Sequence, residues 1–241
     1  ARLTKPMIRI DGALREVEWN VALDYVTHGL KDVIATHGGE SIAALASPHS
    51  TLEELYLLQK LTRGLGSGNV DFRPRRRDFS SDGHLAGIPW LGRKLSEIND
   101  LDAALVVGSF LRKDHPLFAQ RLRQLTRKWG KVSLLSVAAD DQLMNLHASR
   151  AVSPAELPMA LASVLKAAAQ LKQAVIPAGL ETVEPCEISQ AIARTLVEGE
   201  KGAIFLGNVA EQNPQAAELH ALALELAKLT GATCGFIGEA A

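Results

Sequence analysis

Residues 47–78 read SPHSTLEELYLLQKLTRGLGSGNVDFRPRRRD, and this stretch shows how the chain is organised. Ser50 and Glu53 have the spacing of a capping box, which predicts that a helix begins here. The apolar residues that follow lie nearly all round the helix, so we expect it to be buried. Gly64 and Gly66 predict its end, because glycine readily adopts the backbone conformations that terminate helices. A short strand and an arginine-rich loop follow, as in one unit of an α/β fold.

The same alternation of strand and helix continues outward from this stretch. Residues 8–18 predict a β-hairpin around an Asp11-Gly12 turn, and Ser153, Pro154 and Glu156 predict the start of another helix. Continuous apolar segments predict strands at 41–47, 103–107, 132–137, 203–206 and 233–237. Helical patterns cover 20–36, 114–130, 153–173, 187–197 and 214–229. Strands that are apolar without alternation are typical of parallel sheets covered by helices on both faces.

We therefore predict an α/β fold of two parallel-sheet αβα units with a short N-terminal β-hairpin. The hairpin segment covers residues 1–19. Residues 20–80 and 175–241 together form a first, discontinuous α/β domain, and residues 81–174 form an inserted Rossmann-like α/β domain. Both ends of the chain look cut, so we expect a fragment of a longer polypeptide that exposes apolar surface and tends to dimerise.

Composition excludes several classes of function. The formal net charge of −1 gives no general attraction to nucleic acid or to anionic membranes. The apolar runs are strand-sized and far shorter than the roughly 20 residues that span a bilayer. The two cysteines, Cys186 and Cys234, are too few to hold an iron–sulfur cluster alone. The seven histidines are scattered without the close spacing of metal ligands.

Several segments in order resemble one family. They are LTKPMIRIDG from Leu3, EVEWNVALD from Glu16, residues 47–71, LVVGSFLRKDHPLFAQRLR from Leu105, AIFLGNVAEQNPQA from Ala203 and LTGATCGFIGEAA from Leu229. These segments look like the molybdopterin oxidoreductase superfamily and, within it, like the G subunit of bacterial NADH-quinone oxidoreductase (respiratory complex I). The resemblance covers nearly the whole chain.

The resemblance implies the second and third domains of the formate dehydrogenase/DMSO reductase fold. It implies a subunit on the cytoplasmic side of the inner membrane, with the other peripheral-arm subunits of complex I as partners. The iron–sulfur clusters that carry electrons from NADH towards quinone would lie in an N-terminal region of the full subunit, outside this sequence. No activity of its own, no nucleic-acid binding and no direct membrane insertion are expected for this part.

The resemblance also identifies where a molybdenum cofactor would bind. By spacing, the metal ligand of the molybdenum enzymes falls at Arg77, whose guanidinium cannot ligate a metal. Their Asp-Pro-Arg motif, whose carboxylate reads a guanine, corresponds to Ser136, Val137 and Ala138. We therefore predict no cofactor in this chain and no catalytic or metal-binding residues.

A vestigial crevice remains the candidate ligand site, and Gly108, Ser109, Arg77 and Ser136 are its candidate residues. Gly108 and Ser109 follow a predicted strand, at the carboxyl end where such folds bind ligands. The alternative is that this region is a molybdopterin- or nucleotide-binding oxidoreductase domain.

The arginine-rich loop is the candidate partner contact. Arg73, Arg75, Arg76 and Arg77 suit bidentate pairing with acidic groups of absent parts of the polypeptide or of a neighbouring subunit. A solvated loop is the other interpretation. A second basic group, Arg121, Arg123, Arg127 and Lys128, falls late on one predicted helix and is typical of a solvated face.

Overall fold

The computed structural model describes residues 3–47, 49–72, 78–81, 83 and 89–238. Contacts divide the chain into two units, Ala1–Pro74 and Arg75–Ala241. The arginine-rich loop at residues 73–77 lies outside the described residues, so its role as a partner contact remains a prediction.

The first unit opens with the expected hairpin. Strand β1 (Met7–Ile10) pairs antiparallel with β2 (Ala13–Glu16). Asp11 and Gly12 have φ angles of 51° and 81°, and a tight I′ turn requires positive values at both positions. The hairpin prediction is therefore confirmed, and helix α1 (Trp19–His37) follows it.

A small parallel unit completes this part of the chain. Strand β3 (Ala44–Leu45) pairs with β4 (Val70–Asp71), and helix α2 (Leu52–Gly64) connects them. The capping box of α2 is shifted by one residue from the predicted pair. Thr51 Oγ1 accepts a hydrogen bond from the Glu54 N–H at 3.2 Å, and Glu54 Oε2 accepts one from the Thr51 N–H at 2.9 Å. The segment STLEE satisfies the motif in two registers, and only backbone geometry selects between them.

The prediction that α2 is buried is wrong for this structure. Leu52, Tyr56, Leu57 and Leu61 are all more than half exposed, and Thr62 is its one buried residue among those described. An apolar pattern indicates that a helix packs against other residues, but it does not show that those residues belong to the same unit.

The second unit contains a five-stranded parallel sheet. Its strands are β5 (Ala103–Val107), β6 (Lys131–Ser136), β7 (Ala148–Ala151), β8 (Gly202–Gly207) and β9 (Thr233–Ile237), in the order β7-β6-β5-β8-β9. Strand β7 lies in a segment whose sequence predicts a linker. Its sequence ASRA has no apolar run, because an edge strand needs few buried side chains.

Helices cover both faces of this sheet, as the continuous apolar strands predicted. In β5, Ala103, Leu105 and Val107 join one core, while Ala104 and Val106 join the other. The first core also contains α5 (Leu157–Leu171), α6 (Glu187–Glu198) and α8 (Ala216–Thr230). The second contains α4 (Pro116–Arg127) and the 3-10 helix Leu95–Asp100. The short helices α3 (Leu111–Asp114) and α7 (Asn208–Glu211) follow β5 and β8.

Sheet pairing differs from the predicted domain division. The sequence pattern places residues 175–241 in a domain with residues 20–80, but β8 pairs directly with β5 and β9 pairs with β8. Apolar runs identify strands without naming their neighbours, so the crossover that brings β8 beside β5 could not be read from them. The Ser153–Glu156 helix start is confirmed. Glu156 Oε2 accepts hydrogen bonds from the Ser153 N–H at 3.0 Å and from the Ser153 hydroxyl at 2.8 Å.

A loop segment closes the exposed edge of this sheet. Phe236 in β9 donates its N–H to the carbonyl of Trp90 at 2.9 Å. The Arg93 guanidinium donates to Thr233 Oγ1 through Nη2 at 2.6 Å and through Nε at 3.0 Å. The segment around Trp90–Arg93 therefore occupies hydrogen-bonding groups that an edge strand would otherwise leave open. Among the described residues, no helix is both long and apolar enough to cross a bilayer.

Asp78 caps helix α8 from a distant point in the sequence. Its Oδ2 accepts the N–H of Ala217 at 3.0 Å, while Oδ1 accepts the hydroxyl and N–H of Ser80 at 2.6 Å and 3.0 Å. These hydrogen bonds, led by that of the Ser80 hydroxyl, hold the pKa of the Asp78 carboxyl below its ordinary value of 3.8.

We expect Asp78→Asn to reduce stability in a pH-dependent manner. A lowered folded-state pKa contributes stability above pH 3.8, and this contribution is lost as the pH falls through the folded pKa. Asp78→Asn should therefore be less stable than the parent at neutral pH, and the difference should narrow in acid. Urea unfolding of both proteins across this pH range measures it. Ser80→Ala should reduce the same pH dependence, whereas a difference constant from neutral to acidic pH would contradict the assignment.

Candidate functional site

The topological switch point of the sheet lies between β5 and β8. From β5 the chain moves outward through β6 to β7, and it then crosses over to continue outward through β8 to β9. In open α/β sheets, ligands bind outside the carboxyl ends of the strands at such a point. Gly108 and Ser109 follow β5 at this point, and Asn208 follows β8.

The backbone of the chain closes this crevice. The Gly108 carbonyl accepts hydrogen bonds from the N–H groups of Val209 at 2.9 Å and Ala210 at 3.2 Å. Gly108 has a φ of +62°, and a Cβ built on it would lie 2.6 Å from Ala210 N. A Cβ built on Gly207 would overlap the Cβ of Ser109. The two loops are therefore in direct contact where a ligand would have to enter.

Ser109 and Ser136 lie at the floor of the same region. Ser109 is 3% exposed, and its Oγ has no hydrogen-bond partner among the described residues. Ser136 ends β6, and its hydroxyl donates to the carbonyl of Ala138 at 2.7 Å. Gly108 donates its N–H to the Leu135 carbonyl at 2.8 Å, so three of the four predicted crevice residues lie together. The fourth, Arg77, lies outside the described residues.

This geometry can be tested against the dinucleotide cofactor that the family resemblance implies. A phosphate at a loop-to-helix turn is normally held by free backbone N–H groups. Here the N–H groups of Val209 and Ala210 already donate to the Gly108 carbonyl, and the backbones of the two loops are in close contact. At the end of β6, the Ser136 hydroxyl already donates a hydrogen bond to the Ala138 carbonyl, and residues 136–138 contain no carboxylate. The described part of the crevice therefore does not fit the group.

Two adjoining cavities open beside this region, at residues that the sequence pattern does not single out as a site. Each has a volume of about 180 Å³, and Arg112 and Gln142 line both. The first also contacts Phe110, Lys113, Asp140 and Asp141. The second lies against α4, at Gln120 and Arg123, and reaches Leu143. No local motif indicates these cavities, because they form only where the loop after β6 meets α3 and α4.

Asp141, which lines the first cavity, has a structural role. Asp141 Oδ1 accepts the N–H of Leu143 at 2.8 Å, and its carbonyl accepts from Arg112 Nη1 at 2.5 Å, so it forms a turn. No group of three or more His, Cys, Asp or Glu side chains that could hold a metal ion occurs among the described residues. Cys186 and Cys234 are free thiols, and burial raises the pKa of Cys234 to about 11.

Comparison with known proteins adds a family assignment. The family model described as Molybdopterin oxidoreductase matches residues 2–235. A candidate formate dehydrogenase of Staphylococcus haemolyticus (strain JCSC1435) is 36% identical over 134 residues, which are 54% of this chain and 14% of that protein. A corresponding protein of Staphylococcus aureus (strain MRSA252) is 31% identical over the same length. The chain thus spans a small part of the curated relatives it matches.

Solved structures share the fold at low sequence identity. The formyltransferase/hydrolase complex FhcABCD from Methylorubrum extorquens, solved with methylofuran, matches with a TM-score of 0.60 and 16% identity, over 97% of this chain and 60% of that chain. Acetylene hydratase from Pelobacter acetylenicus matches with a TM-score of 0.59 and 14% identity, over 90% of this chain and 33% of that chain. Because the family model covers nearly every residue, this chain belongs to the molybdopterin oxidoreductase family.

Proposed function

We propose that this chain is a scaffold portion of the G subunit of a bacterial NADH-quinone oxidoreductase and holds no molybdopterin cofactor. The whole complex would transfer electrons from NADH to quinone, while this part would support the cluster-bearing region. It would work on the cytoplasmic side of the inner membrane, in contact with other peripheral-arm subunits. The closed crevice between β5 and β8 is the observation that carries the proposal.

An incoming dinucleotide would have to displace backbone contacts between the two loops of the crevice. It would need to separate Gly108 from Val209 and Ala210, which breaks two backbone hydrogen bonds whose acceptor residue, Gly108, is buried. Each broken bond leaves polar groups that the ligand must satisfy again, at about 1–3 kcal/mol for each group left unsatisfied. The segments that resemble the complex I protein follow one another along the chain from Leu3 to Ala241, and they support the assignment to the G subunit.

A second candidate is a cofactor-binding domain of a formate dehydrogenase-like enzyme. The 36% identity to the relative from Staphylococcus haemolyticus favours it. In that enzyme the crevice would open when the rest of the polypeptide is present, and Ser109 Oγ, which lacks a partner among the described residues, would gain one. The first candidate predicts a protein without stoichiometric pterin, and the second predicts stoichiometric pterin.

The test uses the full polypeptide that contains this chain, purified from its native host. Molybdenum and tungsten are measured by mass spectrometry, pterin by fluorescence after oxidation, and iron as an internal reference. We expect iron without stoichiometric pterin or molybdenum, together with NADH-quinone reductase activity in the same fractions. Stoichiometric pterin with formate oxidation would overturn the proposal and establish the second candidate.

The arginine-rich loop gives a separate test of partner contact. If Arg73, Arg75, Arg76 and Arg77 pair with acidic groups of a neighbouring subunit, reversing two of these charges should reduce the amount of assembled complex. Native gel electrophoresis of membranes from cells that carry the variant measures this amount. Unchanged assembly would favour a solvated loop.

A further inference from the structure

Helix α4 carries a basic and partly apolar outer face. Its inner face packs Phe118, Ala119, Leu122 and Leu125 into the second core. The outer face and the turn that follows contain Arg121, Arg123, Arg127, Lys128 and the exposed Trp129. Trp129 is 94% exposed and Leu117 is 77% exposed. Tryptophan and arginine are the residue types that dominate protein-binding surfaces.

The cations on this face have no ion-pair partner within the part of the chain that the structure describes. The ion pairs in that part are Lys5–Glu18 and Lys131–Glu198, and neither includes an arginine of α4. Glu97 and Asp100 lie on the 3-10 helix that packs against α4, and neither forms an ion pair with it. A concentration of unpaired positive charge in a chain of net charge −1 indicates a surface complementary to an acidic partner.

The second cavity turns this face into a groove. Arg112 and Arg123 line it, Leu143 forms an apolar lip that is 51% exposed, and Gln142 forms the floor. Gln142 is 6% exposed, and its Oε1 accepts no hydrogen bond from any described residue. A buried acceptor without a hydrogen-bond donor is energetically unfavourable. A ligand that donates a hydrogen bond to Gln142 Oε1 would remove this cost.

An acidic peptide has both of the features that this groove lacks. Its carboxylates can pair with Arg112, Arg123 and Arg127, and a backbone N–H can donate to Gln142 Oε1. Asp140 and Asp141 line only the first cavity, so their negative charge directs such a peptide towards the α4 side. We propose that the groove between α4 and residues 140–143 binds an acidic, extended segment of a partner protein. This inference does not depend on whether the family cofactor is bound.

Peptide binding to the full chain tests whether the basic residues of the groove bind an acidic partner. Fluorescence anisotropy with a labelled peptide of alternating glutamate and leucine should show binding that weakens as salt is raised. Arg123→Glu/Arg127→Glu should weaken it by about tenfold or more, because two attractions become repulsions. The matched control Arg194→Glu/Lys228→Glu makes the same change in net charge at exposed positions of α6 and α8 and should change the affinity by less than about twofold. Thermal unfolding of each variant verifies that it folds.

Gln142→Met tests the buried acceptor without changing charge. The substitution removes the unpartnered oxygen at nearly constant volume, so the protein should remain folded, and peptide affinity should fall by about threefold or more. Equal losses in the test and control pairs, or undiminished affinity in Gln142→Met, would overturn the proposal. Binding to phosphatidylserine vesicles without binding to the peptide would also overturn it, because the partner would then be a membrane.

Discussion

Phe205→Ala is expected to lower the free energy of unfolding by about 3–5 kcal/mol, the largest effect of any single substitution considered for this chain. Phe205 is fully buried on β8 and makes an edge-to-face contact with Phe118 of α4, with ring centroids 4.9 Å apart at 81°. It joins the sheet to α4 in the second core. Alanine would leave a cavity that neighbouring strands cannot fill, because their backbone hydrogen bonds fix their positions.

Chemical denaturation measures this effect, with the midpoint and the slope reported separately. Phe205→Leu preserves most of the volume and should cost less than about 1.5–2 kcal/mol. Trp129→Ala is the matched control, since it removes a larger ring that is 94% exposed and should change stability by less than about 0.5 kcal/mol. A loss below about 1 kcal/mol for Phe205→Ala would show that this core is not packed as described.

Gly108→Ala is expected to cost about 3 kcal/mol or more, and it tests the closure of the crevice. At a φ of +62°, an alanine loses about 1–2 kcal/mol from strain alone. Its Cβ would also lie 2.6 Å from Ala210 N and 2.9 Å from Ala210 Cβ, so α7 must move away. That movement weakens the hydrogen bonds from Val209 and Ala210, worth about 0.5–1.5 kcal/mol each.

Gly231→Ala separates backbone strain from the close contact. Gly231 ends α8 with a φ of +82°, and a Cβ built there meets no atom within 4 Å. It should therefore cost only the conformational part, about 1–2 kcal/mol. If Gly108→Ala and Gly231→Ala destabilise equally, the two loops are not in contact in solution, and the crevice is open to a dinucleotide.

Much of the fold could be predicted because the signals were local. The Asp11-Gly12 turn and the Ser153–Glu156 capping box each depend on a few adjacent residues, and both are confirmed. The central strands were found from apolar runs, since a strand buried on both faces has no solvent-facing side. The cap at Thr51 was misplaced by one residue because the segment STLEE permits two registers.

The candidate site was less predictable than the fold. Gly108 and Ser109 were located from their position after a strand, and the structure places them at the switch point. The closure of the crevice was not predictable, because it requires Val209 and Ala210, about a hundred residues away, to reach Gly108. The groove beside α4 was missed for the same reason, since Gln142 and Arg123 share a cavity only after folding.

The amino-acid sequence alone determined the β-hairpin turn at Asp11-Gly12, the helix start at Ser153–Glu156 and the central strands that are apolar on both faces. These properties follow from side-chain chemistry and short-range periodicity, and they need no knowledge of neighbours. Tertiary structure alone decided that β8 pairs with β5, that the two loops at their ends fill the crevice, and that Gln142 lies buried without a donor among the described residues. These properties depend on contacts between residues distant in sequence, and many alternative pairings of the same apolar strands satisfy the local pattern equally well.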